Sequence, residues 1–136
     1  MSDIPARLRR LVVSRAGERC EYCRLAQKGQ EATFHIDHIL PKAAGGRTSA
    51  ANLALACVSC SLRKEARRSG IDPNTFRRVA LFHPRRQRWL DHFRCEGFRI
   101  VGLTATGRAT VDALQMNRPL ILAIRREEEA RGRSLE

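Results

Sequence analysis

Apolar positions recur along this chain at two periods. From Ile4 to Gly17, Leu8, Leu11 and Val12 return at the spacing of one helix face, with Arg7, Arg9, Arg10 and Arg15 between them. The pattern predicts a helix over 4–17, with Asp3 as its cap, Pro5 in its first turn, Gly17 as its stop and the arginines as a solvated face. Between Glu31 and Ile39 the period falls to two. Phe34 and Ile36 share one face, and Thr33, His35 and Asp37 the other, which predicts a strand ended by Pro41. Residues 42–51 read as a loop with Gly45-Gly46 as its turn signal. The short apolar run from Asn52 to Ala56 predicts a second strand. A helix should follow, with Ser59 or Ser61 near its start, Arg63, Lys64, Arg67 and Arg68 around it, and Gly70 as its stop.

Asp72-Pro73-Asn74 marks a turn. Beyond it the runs 79–82, 89–93 and 98–103 predict short strands, separated by His83-Pro84-Arg85-Arg86 and Glu96-Gly97. Helical spacing returns from Thr106 to Met116, with Ala109, Leu114 and Val111 inward. Asn117 is expected to cap a last helix beginning at Pro119, and Arg125 onward to fray into solvent. There is no internal repeat and no low-complexity linker. These elements describe an α+β chain: a core over 1–70 with an N-terminal helix, and a strand-and-helix extension over 71–136 packed on it as one compact domain.

Charge narrows the partner. The 136 residues carry 26 Lys and Arg against 14 Asp and Glu, a formal net charge of +12. The excess is uneven: residues 61–99 hold eleven basic and four acidic side chains. Arginine's planar fork suits phosphate, so a polyanion such as DNA or RNA is the expected partner. A merely basic, well-solvated surface has the same composition. No apolar run approaches the ~20 residues of a membrane span, and residues 1–20 hold five arginines and no long apolar core, so neither a membrane nor secretion is expected and the compartment is read as cytoplasmic.

Four of the five cysteines fall into two Cys-x-x-Cys pairs, Cys20/Cys23 and Cys57/Cys60. This spacing lets both thiolates of a pair reach one tetrahedral Zn²⁺ at ~2.3 Å, and two pairs in so short a chain predict a structural four-thiolate zinc site. Such a staple would relieve a core that has only seven aromatic residues. The competing readings are a disulfide framework, which needs an oxidising compartment, and a redox dithiol, which needs one pair to be without metal. Cys95 is left over and is read as a small apolar residue.

Asp37 beside His38 at the end of a strand, with Asn52 fourteen or so residues on, is a usable hydrolytic site. Neutral imidazole is a suitable base near pH 7, and a carboxylate can hold a divalent ion that stabilises charge developing on a phosphate. The structural alternatives are a satisfied histidine at 35 or 38, a turn role for Asn52, and a solvated helix face for Arg63, Lys64 and Arg67.

The linked pattern Cys-x-x-Cys, His35-Ile-Asp37-His38-Ile-x-Pro41, Gly45-Gly46, Asn52-Leu-x-Leu-x-Cys57-x-x-Cys60-x-x-x-Lys64 resembles the HNH endonuclease family over residues 18–68. The resemblance implies a ββα-metal core stapled by zinc through Cys20, Cys23, Cys57 and Cys60, and a catalytic Mg²⁺ or Mn²⁺. It implies Asp37 as a ligand of that ion, His38 as general base and Asn52 as the residue that orders the loop between the strands. It also implies double-stranded DNA as substrate, with RNA as the second choice, contacted by Lys42, Arg47, Arg63, Lys64 and Arg67. A monomer that nicks single strands is the default. The segment from Leu81 to Pro119 is similar to an extension found in some bacterial members. One position departs: the ligand after the second cysteine pair, His or Asn in the family, is Ser61. Either Ser61 ligates directly or through water, or His35 on the same strand face fills the place, or the site is degenerate and the protein only binds nucleic acid.

Overall fold

The structure is a computed structural model and describes residues 4–135; the expected cap Asp3 lies outside them. Helix α1 spans Ala6–Arg15, with Pro5 at its N-cap and no side-chain cap. Val12 is fully buried, whereas Leu11 is 44 % exposed. Arg15 is not a purely solvated residue, because its Nη2 donates to the Leu53 carbonyl at 2.6 Å.

Strands β1 (His35–His38) and β2 (Leu53–Ala56) pair antiparallel, with His35 opposite Ala56 and His38 opposite Leu53. Strand β1 is shorter than its alternation suggests. Its partner ends where Cys57 starts the next helix, so residues before His35 have no strand to pair with. The Gln27 side chain replaces that ladder, accepting from Phe34 N at 2.7 Å and donating to Ala32 O at 3.1 Å. All four residues of β2 are buried. Its outer edge is covered by Glu21, whose amide donates to Leu55 O and whose carboxylate accepts from Leu55 N, each at 2.8 Å. A carboxylate under a strand edge needs a counter-charge, and Arg85 provides it.

Helix α2 (Val58–Lys64) completes a ββα unit. It stops at Lys64, where Glu65 turns to φ +45°, and Gly70 lies in the next strand instead of ending the helix. Strands β3 (Ser69–Ile71) and β4 (Arg78–Ala80) form a second hairpin around the 72–77 turn, and β5 (Phe93–Glu96) and β6 (Arg99–Gly102) a third. The run after Trp89 is not a strand at its start: Trp89–His92 is a single helical turn, α3. Trp89 is fastened there by its indole N–H, which donates to the Tyr22 carbonyl at 2.8 Å.

Helix α4 (Ala105–Ala113) is capped by Thr104, which accepts from Gly107 N at 3.0 Å. Helix α5 spans Pro119–Ala130, and Arg118 is its N-cap residue. Asn117, the expected cap, instead holds β6 through paired bonds to the amide and carbonyl of Ile100, both 2.8 Å. Arg125 does not fray. It is 3 % exposed, and its guanidinium donates to Phe98 O and Met116 O. One apolar cluster joins both halves of the chain, from Val12, Tyr22, Leu53 and Leu55 to Phe82, Phe93, Ile100, Leu114 and Ile121. No helix of the described residues is long and apolar enough to cross a membrane.

Candidate active site and metal centre

Two short turns and the entry to α2 bring the four cysteines together. Their sulfurs lie within 4.8 Å of one another, and all four residues are buried. Four sulfurs at ~2.3 Å from one tetrahedral ion would be ~3.8 Å apart, and Cys23 Sγ and Cys57 Sγ are 3.7 Å apart. That separation far exceeds the ~2.05 Å of a disulfide bond. Each pair closes with an amide on sulfur: Cys23 N on Cys20 Sγ and Cys60 N on Cys57 Sγ, both 3.4 Å. Arg24 takes φ +70° to complete the first turn. Cys57 Sγ also accepts from the three neighbouring thiols, Cys20 first, which holds its pKa far below the usual thiol range. The cluster is a thiolate set placed to bind one metal ion, and its size and all-sulfur donors fit zinc.

The second set lies on the ββα unit. Ser61 Oγ, in the first turns of α2, donates to Asp37 Oδ1 at 3.0 Å and meets His35 Nδ1 at 2.8 Å. Alternation along β1 turns His35 and Asp37 to one face, and α2 lays Ser61 across both. A serine has one hydroxyl hydrogen. With that hydrogen on the Asp37 carboxylate, His35 Nδ1–H is the donor to Ser61, and His35 Nε2 is left as the unprotonated nitrogen. Burial raises the Asp37 pKa, opposed by the Ser61 hydrogen bond and by the positive charge of Lys64. No arginine or lysine forms an ion pair with this carboxylate among the described residues. His35 and Asp37 line an open depression with Arg9, Thr33 and Phe34.

His38 points to the other side of β1, where its Nε2 meets Thr48 Oγ1 at 2.8 Å. Burial lowers its pKa, Lys42 lowers it further, and Asp37 opposes both. Thr48 went unnoticed in the sequence because a threonine in a small-residue loop carries no signal of what it faces. Asn52 pins that loop: its Oδ1 accepts from Leu40 N at 2.8 Å, and its Nδ2 donates to Leu40 O at 3.0 Å and Arg47 O at 2.9 Å. Gly46 is required for this closure, since a Cβ there would sit 1.7 Å from the Leu40 carbonyl oxygen.

Of the five basic residues expected to face phosphate, Arg47, Lys64 and Arg67 line a groove of ≈ 1060 Å³ behind the loop, together with Asn52. Lys42 and Arg63 do not line it. Lys64 is 3 % exposed, donates to Ile39 O at 3.2 Å, and has its pKa lowered by burial. Among the described residues the cysteines are the sole group of three or more His, Cys, Asp or Glu side chains close enough to share an ion. The Asp37 set therefore holds two strong donors and a hydroxyl.

Residues 20–67 match the family model of the HNH endonuclease. The match begins at the first cysteine and ends just past α2, so it covers both cysteine pairs and the whole ββα unit. Over this segment the chain is similar to the HNH endonucleases. No curated protein and no solved structure gives a significant match to the chain.

Proposed function

We propose that this HNH-type chain is a metal-dependent endonuclease that nicks DNA, with residues 20–67 as its catalytic part. The observation that carries the proposal is the cluster of His35, Asp37 and Ser61: a half-buried carboxylate with no ion-pair partner, beside an imidazole, on the ββα unit. A desolvated carboxylate without a cation is costly unless one arrives, so the donor set fits a hard divalent ion. Asp37 and His35 Nε2 would hold Mg²⁺ or Mn²⁺, with the Ser61 hydroxyl in reach directly or through water. Such an ion supplies charge neutralisation at the scissile phosphate and at the departing 3′ oxygen.

The chain's own groups do the rest. Thr48 accepts from His38 Nε2–H, which leaves Nδ1 bare and basic. His38 Nδ1 takes the proton of the attacking water as its oxygen bonds to phosphorus, and the P–O3′ bond breaks, the departing 3′ oxygen taking a proton from solvent water, to give a 5′ phosphate and a 3′ hydroxyl. Asn52 keeps the loop carrying Thr48 in register. The thiolate cluster, with Zn²⁺ bound, holds β2, α2 and the first cysteine turn as one rigid frame. Lys42, Arg47, Arg63 and Arg67 face phosphates on either side of the cut, and Lys64, buried against the Ile39 carbonyl, adds charge beneath them without touching phosphate. The two halves of the chain act as one compact domain, a monomer working in the cytoplasm.

Plasmid nicking with added Mg²⁺ or Mn²⁺ is the test. Activity in the parent and loss in His38→Ala is the expected result; equal activity in both sinks the base assignment. A second reading, a nucleic-acid-binding protein without hydrolysis, is favoured by Ser61 standing where a stronger ligand would serve. It predicts binding with no cleavage under either ion, and cleavage gained in Ser61→His.

A further inference from the structure

The groove behind the β1–β2 loop is built from both halves of the chain. Its inner wall comes from Ile39, Arg47, Asn52, Lys64 and Arg67, and its outer wall from strand β4 and the turn over residues 83–87. Six cations line it: Arg47, Lys64, Arg67, Arg68, Arg78 and Arg86. No Asp or Glu does. Five of the six are exposed, and Lys64 lies buried beneath them. Five arginines outside the groove are matched to acids: Arg85 with Glu21, Arg94 with Glu96, Arg108 with Asp72, Arg131 with Glu127 and Arg133 with Glu128. Among the described residues none of the six groove cations forms an ion pair. A concave face that gathers like charges and excludes acids raises the local concentration of anions. His83, which also lines the groove, has its pKa lowered by burial and then by Arg86, as the positive field requires.

The groove's chemistry selects among polyanions. Of the rings lining it, Phe82 is 3 % exposed and His83 is half-buried, so no exposed Phe, Tyr or Trp face is offered for unstacked bases. What remains is a row of phosphate-binding donors. We propose that this groove holds the sugar–phosphate backbone of a DNA duplex, and that the β3–β4 hairpin and the 83–87 turn, through Arg68, Arg78 and Arg86, form a second binding wall outside the HNH segment. The Arg47–Ser49 stretch of the groove flanks Thr48 and hence His38, so backbone held here runs on to the candidate base. The inference rests on DNA being the partner, not on hydrolysis.

The test is binding of a short labelled duplex to the zinc-loaded protein, without added Mg²⁺ or Mn²⁺, across a range of KCl concentrations. Each phosphate contact contributes about 0.9 to the log–log salt slope. The triple variant Arg68→Glu/Arg78→Glu/Arg86→Glu should lose about 2–3 from that slope and weaken binding roughly 100-fold. The control Arg94→Glu/Arg126→Glu/Arg131→Glu removes the same net charge from other elements and should leave the slope unchanged. Zinc content and melting temperature report whether each variant folds. The milder Arg68→Gln/Arg78→Gln/Arg86→Gln set, expected to lower the slope likewise, stands in if the reversal does not fold. Equal weakening by the groove and control sets overturns the proposal, as does an unchanged slope in the groove set or tighter binding of single strands than of duplex. Duplex binding that depends on the groove but is never followed by nicking would overturn the nuclease reading and leave this one standing.

Discussion

Ser61 Oγ donates its hydrogen to Oδ1 of Asp37 across 3.0 Å, and Ser61 Oγ also meets His35 Nδ1 at 2.8 Å. One small side chain on α2 thus aligns two side chains of β1 that alternation had already turned to the same face.

Removing that link should loosen the ion without unfolding the protein. In Ser61→Ala the Mn²⁺ concentration for half-maximal nicking should rise about 10- to 100-fold, the usual cost of losing a group that orients a metal ligand. Zinc content should not change. An unaltered Mn²⁺ requirement would remove Ser61 from the site.

The acid limb of nicking should report His38. Burial and Lys42 lower its folded pKa below the ordinary ~6.5. The imidazole is therefore neutral and able to accept a proton at pH 7, and activity should fall only as pH drops below ~6.5. Lys42→Ala removes a nearby positive charge, raises the His38 pKa and should move the limb to higher pH. Thr48→Val should lower kcat by roughly 10-fold with KM little changed, since it frees the ring to rotate.

The turn between β3 and β4 is held by Asp72, which is fully buried. Its carboxylate accepts from Arg108 Nε and Nη2 at 2.9 Å each, and from Asn74 N and Thr75 Oγ1 at 3.0 Å each. Arg108 is the largest cause holding the Asp72 pKa far below the usual range. A depressed carboxylate contributes stability that is complete above its unfolded pKa of ~3.9 and is lost as pH falls below that value. Arg108→Gln should therefore melt several degrees lower than the parent at pH 7. The gap should narrow below pH ~4; a gap independent of pH would show that the pair acts by packing alone.

Phe76 sits at the tip of the same hairpin with φ +60° and its side chain 81 % exposed. A left-handed backbone costs an ordinary residue ~1–2 kcal/mol, and glycine adds ~0.5–1 kcal/mol of unfolded-state entropy in return. Phe76→Gly should raise the melting temperature by about 2–4 °C. A fall would mean that the ring packs against something.

Chelation should unfold the protein. A four-thiolate zinc site contributes on the order of 10 kcal/mol, comparable to the whole stability of a small domain at ~5–15 kcal/mol. A strong chelator or Cys57→Ser should abolish the cooperative melt, and Zn²⁺ should restore it for the chelated parent only. A melt indifferent to chelation, or metal analysis giving other than one zinc per chain, would remove the staple.

Residue type and spacing made the ββα unit legible. Cys-x-x-Cys twice, the alternation through Asp37-His38 and the apolar run after Asn52 are local patterns with few solutions, and β1, β2 and the start of α2 lie within the stretches those patterns mark, although α2 ends at Lys64 and not at Gly70. Local sequence could not show how long β1 is, because that depends on where its partner stops and on a glutamine seven residues before Phe34. Nor could it separate strand from helix at Trp89, whose turn is held by a carbonyl sixty-seven residues away.

By itself the chain's order of residues determined that four sulfurs meet and that basic side chains outnumber acidic ones. Periodicity and ligand spacing act over a few residues and can be read without a fold. Tertiary structure alone decided that Arg125 is buried against the Phe98 and Met116 carbonyls, that Thr48 meets His38, and that arginines from the second half of the chain close a groove with those of the first. Those are contacts between residues far apart in sequence. They depend on how the hairpins stack against one another, and no local pattern encodes that.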